Sequence, residues 1–92
     1  MKIAIVFGTR PEAIKLAPVI LEARRRPQVL PLVISTGQHR EMLAAVLNLF
    51  SIEPDLDLQL MRPNQTLAEI SARALTSMTE VLAAQRPDIL VV

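Results

Sequence analysis

The residue types best suited to chemistry fall in two short turns. Gly8-Thr9-Arg10-Pro11-Glu12 follows an apolar run, Ile3 to Phe7, and opens a helical pattern. A helix start after a strand offers backbone N–H groups and the positive end of the helix dipole, which together favour an anion. Gly8 lets the backbone come close. The forked guanidinium of Arg10 suits a phosphate or a carboxylate, and Lys15, about one turn further on, adds a second positive charge. The plainer reading of the same stretch is a tight turn, a helix cap and two surface cations. A single glycine is a weak phosphate signature, and neither GxGxxG nor the GxxxxGK[ST] run is present.

Thr36-Gly37-Gln38-His39-Arg40-Glu41 stands in the equivalent place after a second apolar run. His39 is the only histidine. A metal site of the usual kind needs two or three such ligands, and no acid stands at a useful spacing from it. On residue type alone Gln38, His39 and Arg40 are polar groups at a helix start. A third polar stretch, Arg62 to Thr66, offers either contacts above a sheet or a plain connection with a helix cap. Glu53, Asp55, Asp57 and Glu80 show no pairing that suggests general acid/base work.

The elements that must position these turns alternate along the chain. Ile3 to Phe7 is a short apolar run of the kind found in a strand covered on both faces. Thr9 with Glu12 forms a capping-box pattern, Pro11 suits a first turn, and Ala13, Ile14, Ala17, Ile20 and Leu21 recur at helical spacing. Pro18 predicts a kink or break in this helix. Val29 to Ser35 reads as a second strand, with Pro31 pointing to an edge position or an irregular start. Gln38 to Phe50 is a helix with Met42, Leu43, Val46, Leu47 and Phe50 as its apolar stripe. Leu56 to Leu58 is a very short strand. Thr66 and Glu69 form a second capping box, opening a helix whose face carries Leu67, Ile70, Ala74, Met78, Val81 and Leu82, with Glu69 and Arg73 as an i,i+4 pair. Arg86-Pro87-Asp88 ends it, and Ile89 to Val92 begins another buried strand. Met42, Met61 and Met78 read as core filler. The order β-α-β-α-(β)-α-β predicts an α/β fold, a Rossmann-like parallel sheet with flanking helices. Right-handed crossovers then bring the turns after the strands to one edge of that sheet.

Composition narrows the partners. Ninety-two residues suffice for one small domain, and with 51% of them apolar a core is available. Ten Lys and Arg against nine Asp and Glu give no case for nucleic acid or an anionic membrane surface. The run Arg24-Arg25-Arg26 belongs at a helix end, where it complements the dipole. The absence of cysteine excludes disulfides, thiolate metal sites and a cysteine nucleophile. No segment reads as a signal peptide or a membrane span, so the expected location is the cytoplasm.

Four stretches resemble one known family. GTRPEAIKLAPVI is very close to the opening signature of the non-hydrolysing UDP-N-acetylglucosamine 2-epimerases. TGQHREML resembles the second signature and FSIEPDLDLQLMRPNQTLAEISARAL the third. RPDILVV resembles the strand that in the family runs into a His-Gly-Asp turn. The likeness covers all 92 residues. Relatives that hydrolyse the same sugar nucleotide typically carry an Arg-Ala-Asp-Tyr type run after the Gly-Thr, where this chain has Arg10-Pro11-Glu12-Ala13.

The resemblance implies a GT-B type enzyme of two Rossmann-like domains with the active site between them. Residues 1–92 would be the N-terminal part of the first domain, with the rest of that domain and the second domain absent. It implies interconversion of UDP-N-acetylglucosamine and UDP-N-acetylmannosamine by elimination and re-addition of UDP, without a redox cofactor or metal, for bacterial surface polysaccharides. It implies a homodimer, and in many bacterial members activation by the substrate itself. By match to the motifs, Arg10 would hold the nucleotide diphosphate and Lys15 would support charge there. Gln38 and His39 match positions lining the allosteric substrate site. The carboxylates proposed for proton transfer come after Val92 in the family, so no catalytic residue is expected within the fragment and the fragment alone is expected to be inactive. The competing readings are a related GT-B enzyme, either a hydrolysing epimerase or a glycosyltransferase, and a non-catalytic flavodoxin-like module. A receiver-type module needs an acidic cluster after the first strand, where Gly8-Thr9-Arg10 stands instead.

Overall fold

The structure, a computed structural model, describes the backbone of residues 1–37 and 40–92, and the side chains of all of these except 40–42. The described elements are β1 (Lys2–Phe7), α1 (Arg10–Arg25), β2 (Leu30–Ser35), α2 (Arg40–Leu49), β3 (Leu56–Asp57), α3 (Leu67–Gln85) and β4 (Ile89–Val91). They form the expected α/β arrangement: one parallel sheet in the order β3-β2-β1-β4. The chain steps outward from β1 to β2 to β3, then returns through α3 to place β4 on the other side of β1. Right-handed crossovers therefore put α1 and α2 on one face and α3 on the opposite one.

β1 shows the division residue by residue, because successive side chains on a strand point to opposite faces. Ile5 and Phe7, with Ile3 at the margin, join Ala13, Ala17, Ile20, Val33, Leu43, Val46, Leu47 and Ile52 in one cluster under α1 and α2. Ala4 and Val6 join Ile34 on the other face, where Leu32, Leu56, Leu58, Met78 and Val81 pack only partly buried. The first cluster contains Phe7, Ile5, Ile20 and Leu43, each almost wholly buried. The second is smaller, and α3 buries no residue completely.

Several expectations are corrected by the packing. α1 runs unbroken through Pro18. Pro18 is exposed, so the carbonyl it leaves without a donor can be taken by water. β2 is an inner strand, but β3 joins it only at Ile34 and Ser35, so Pro31 still lies on a locally free edge. Met61 is exposed and is not core filler. Glu69 and Arg73 form no ion pair; the ion pairs among the described residues tie Glu22 to Arg25 and Arg26 at the exposed end of α1, where such contacts add little.

The two later strands begin alike. Each follows a Pro-Asp pair, and each aspartate clasps one residue of its neighbouring strand. Asp55 donates its N–H to the Val33 carbonyl (2.8 Å), while its Oδ2 accepts from the Val33 N–H (2.7 Å). Asp88 does the same with Lys2, at 2.7 Å for both bonds. A carboxylate thus supplies the acceptor that the strand has not yet begun to offer, and it sets the register of β3 and β4 against the centre of the sheet.

Candidate functional site

Four strand ends converge on one edge. Gly8 follows β1, Thr36 and Gly37 follow β2, residues 58–66 follow β3, and Val92 follows β4. β1 and β4 flank the point at which the strand order reverses, and in open parallel sheets ligands sit in the crevice outside the strand ends at such a point. A cavity of about 190 Å³ lies there, lined by Val6, Phe7, Gly8, Glu12, Thr36 and Val92.

The turn after β1 differs from its sequence-based expectation in one respect. The backbone amides of Gly8 and Thr9 are not free for an anion. The Glu12 Oε2 accepts from both, at 2.7 Å from Gly8 and 3.1 Å from Thr9. Thr9 is the extended N-cap residue and Glu12 stands at the third helical position, so the glutamate's half of the capping box read from the sequence is in place. Its carboxylate reaches one residue further back than the box requires and fastens Gly8 at the end of β1 as well. Glu12 is the functional candidate that sequence reading took for a cap alone. The available signal was a Thr-x-x-Glu box placed directly after the glycine that ends a strand.

Arg10 stands at the first position of α1, exposed and without a hydrogen bond or ion pair among the described residues. Lys15 is exposed on the same helix. At ~100° per residue it lies roughly 140° round the axis from Arg10, away from the buried stripe of Ala13, Ala17 and Ile20. The two cations therefore do not share one face of α1, and neither lines the cavity. Gln38 and His39 lie outside the described residues.

The second turn is held by close backbone approach. Thr36 donates its N–H to the Phe7 carbonyl (3.0 Å), and Gly37 donates to the Ser35 hydroxyl oxygen (3.3 Å). Gly37 has φ +81°, and a Cβ there would stand 2.7 Å from Asp57 Oδ1 and 2.9 Å from Gln59 Cα. Only glycine combines that conformation with that clearance. The segment after β3 then folds over the same edge: Leu58 and Leu60 donate to the Ser35 and Thr36 carbonyls at 2.8 and 2.9 Å. Leu60 is buried beneath it. Gln65 staples it from the other end, its Nε2 donating to the carbonyls of Leu60 (2.8 Å) and Arg62 (3.2 Å). The loop Arg62 to Gln65, which had no role from sequence, is thus set beside the second turn. Among the described residues no group of three or more His, Asp or Glu could hold a metal ion, and no helix is long and apolar enough to cross a membrane.

A parallel α/β sheet with a turn at each strand end and a cavity at its switch point defines the class: a Rossmann-like α/β domain. The sequence model of the UDP-N-acetylglucosamine 2-epimerase family matches residues 21–92. The chain belongs to that family. It is 52% identical over its whole length to a UDP-N-acetylglucosamine 2-epimerase of Neisseria meningitidis, and 49% identical to one of Bacillus subtilis strain 168. It spans 25% and 24% of those relatives' lengths. A crystal structure of the UDP-GlcNAc 2-epimerase from Neisseria meningitidis bound to UDP-GlcNAc superposes with a TM-score of 0.92 at 53% identity, over 99% of this chain and 25% of that one. A Staphylococcus aureus protein in complex with UDP superposes with a TM-score of 0.90 at 44% identity, over 97% of this chain and 23% of that one.

Proposed function

We propose that this segment serves as the first part of an enzyme that interconverts UDP-N-acetylglucosamine and UDP-N-acetylmannosamine. In this reading C2 loses its proton and the C1–O bond to UDP breaks, giving 2-acetamidoglucal. UDP then re-adds at C1 as C2 is protonated from the other face. The observation that carries the reading is the cavity at the switch point, with an exposed arginine at the first position of the helix that follows Gly8, in a chain about half identical to epimerases over its full length. Arg10 holds the diphosphate, and its fixed charge stabilises the negative charge that grows on the departing UDP. Lys15, on another face of α1, contributes charge at longer range. The remaining partners follow from the resemblance: residues beyond Val92 supply the proton-transfer carboxylates and the second half of a GT-B cleft, Gln38 and His39 meet activating substrate, and the enzyme works as a cytoplasmic homodimer in surface-polysaccharide synthesis.

The test is made on a full-length enzyme carrying this segment, assayed by proton NMR with each sugar nucleotide. Formation of the other epimer, with solvent deuterium appearing at C2, is expected. Arg10→Ala should lower kcat/KM by at least about a hundredfold, and near-native kinetics would remove Arg10 from the site. Release of free N-acetylmannosamine instead of its UDP derivative would identify a hydrolysing enzyme. In the same assay Gln38→Ala and His39→Ala should weaken the response to trace UDP-N-acetylglucosamine in reactions started from the manno epimer, by part of a coupling of about 1–3 kcal/mol.

A further inference from the structure

The backbone at the start of α1 looks from sequence like the seat for a phosphate, and in the structure its Gly8 and Thr9 amides are taken. One oxygen of Glu12 accepts from both the Gly8 and Thr9 amides. Pro11, in the first turn, has no N–H to offer. The Ala13 amide is already committed to the Thr9 carbonyl at 3.0 Å. The negative charge that complements the positive helix end is therefore the protein's own. Glu12 is also the one charged side chain that lines the switch-point cavity among the described residues. A diphosphate placed on these amides would have to expel that carboxylate or lie against a like charge.

We infer that Glu12 is a positioning residue. Its carboxylate occupies the Gly8 and Thr9 amides and fixes that turn, so that a bound diphosphate is taken by the Arg10 side chain and not by those two amides. The carboxylate ties the end of β1 to the first turn of α1 through two bonds on either side of the Gly8 Cα. Arg10 is the next residue. Its backbone is thereby held at one distance and direction from the cavity, and a flexible side chain that starts from a fixed point loses less freedom when it meets a ligand. The carboxylate need not touch substrate to do this. A glutamine at the same position keeps a carbonyl oxygen at the same reach and can accept both N–H groups, without the charge.

This inference rests on the reading of Arg10 as the diphosphate ligand, and the experiment separates the two. Glu12→Ala, Glu12→Gln, Arg10→Ala and the double variant Glu12→Ala/Arg10→Ala are made in a full-length enzyme carrying this segment. Thermal unfolding, kcat and KM for UDP-N-acetylglucosamine, and the dissociation constant for UDP by calorimetry are measured for each. Glu12→Ala should raise KM and the UDP dissociation constant by about tenfold, and lower kcat by part of the loss seen for Arg10→Ala. Glu12→Gln should restore KM to within about threefold of native. The double variant should bind UDP no more than about threefold more weakly than Arg10→Ala, because a residue acting through Arg10 has nothing left to position. Native or tighter UDP binding by Glu12→Ala would overturn the inference, since the vacated amides would then be taking the phosphate. So would a Glu12→Gln variant as impaired as Glu12→Ala, or full additivity in the double variant. If Glu12→Ala does not fold, the glutamine variant alone decides, by its KM. Native behaviour of Arg10→Ala would instead sink the diphosphate reading itself.

Discussion

α1 and α3 begin with the same four-residue pattern, Thr9-Arg10-Pro11-Glu12 and Thr66-Leu67-Ala68-Glu69, yet the fold uses them differently. In α1 the glutamate does the tying. Glu12 reaches back to two amides and joins the helix to the strand before it. In α3 the threonine does it: the Thr66 hydroxyl oxygen accepts from the Glu69 amide at 3.1 Å, and the helix starts from a polar loop. α1 buries Ala13, Ala17, Ile20 and Ala23, with small residues letting its backbone sit close to the sheet. α3 buries nothing completely, and Met78 and Val81 are its partly buried contacts with the smaller cluster. Thr76 and Thr79 on α3 spend their hydroxyls on the Ala72 and Leu75 carbonyls of their own helix, and Leu75 stands 72% exposed. The shared local code therefore starts both helices, and within this segment α1 packs into the larger cluster while α3 packs against the smaller one.

The comparison can be broken most directly in the core. Ile20→Ala should cost about 2–5 kcal/mol, because the side chain is wholly buried between α1 and the sheet. Met78→Ala, on the half-buried face of α3, should cost about 1 kcal/mol. Urea unfolding of the chain, with midpoints compared at equal slope, measures both. Equal losses would mean that α3 carries as much of the core as α1 does.

A finer test compares the two glutamates. Glu12→Ala removes the acceptor of two backbone amides and should destabilise by about 1–2 kcal/mol. Glu69→Ala leaves the Thr66 cap in place and should stay within about 0.5 kcal/mol of native. If the two losses match, the α1 clasp is an ordinary cap. The smallest expected effect is at the second cap itself. Thr66→Ala should cost about 1 kcal/mol or somewhat less, and amide hydrogen exchange should show the loss confined to the first turn of α3. Faster exchange spreading into α1 would show that the two faces of the sheet are more strongly coupled than their separate clusters suggest.

The elements themselves were legible because they are repeating patterns. Ile3 to Phe7, the Ala13-Ala17-Ile20 spacing and the two Thr-x-x-Glu boxes are local properties, and each reports its element without reference to the rest of the chain. The parallel sheet followed from the alternation of strands and helices, and the convergence of the turns followed from the handedness of the crossovers. Family membership was legible in the run Gly8 to Ile20 for a related reason: turn and helix residues with special requirements lie together there in one fixed order. Pro18 misled because sequence marks a missing donor but not whether water can reach the carbonyl left behind; on the exposed side of α1 it can.

What the tertiary structure decided is who partners whom across the sheet. The sequence placed Glu12 three residues after Thr9, but whether its carboxylate would leave the amides open or fill them depends on where Gly8 stands at the end of β1. Asp55 and Asp88 carry the same Pro-Asp signature, and only the pairing of β3 with β2 and of β4 with β1 makes each one a clasp. The order β3-β2-β1-β4 gives α1 and α2 the large cluster and leaves α3 the small one. Hydrophobic spacing states that a helix has an apolar face but not what covers it. The positive φ and the close approach at Gly37 to Asp57 and Gln59 bring together segments some twenty residues apart, and only the folded chain supplies that neighbour.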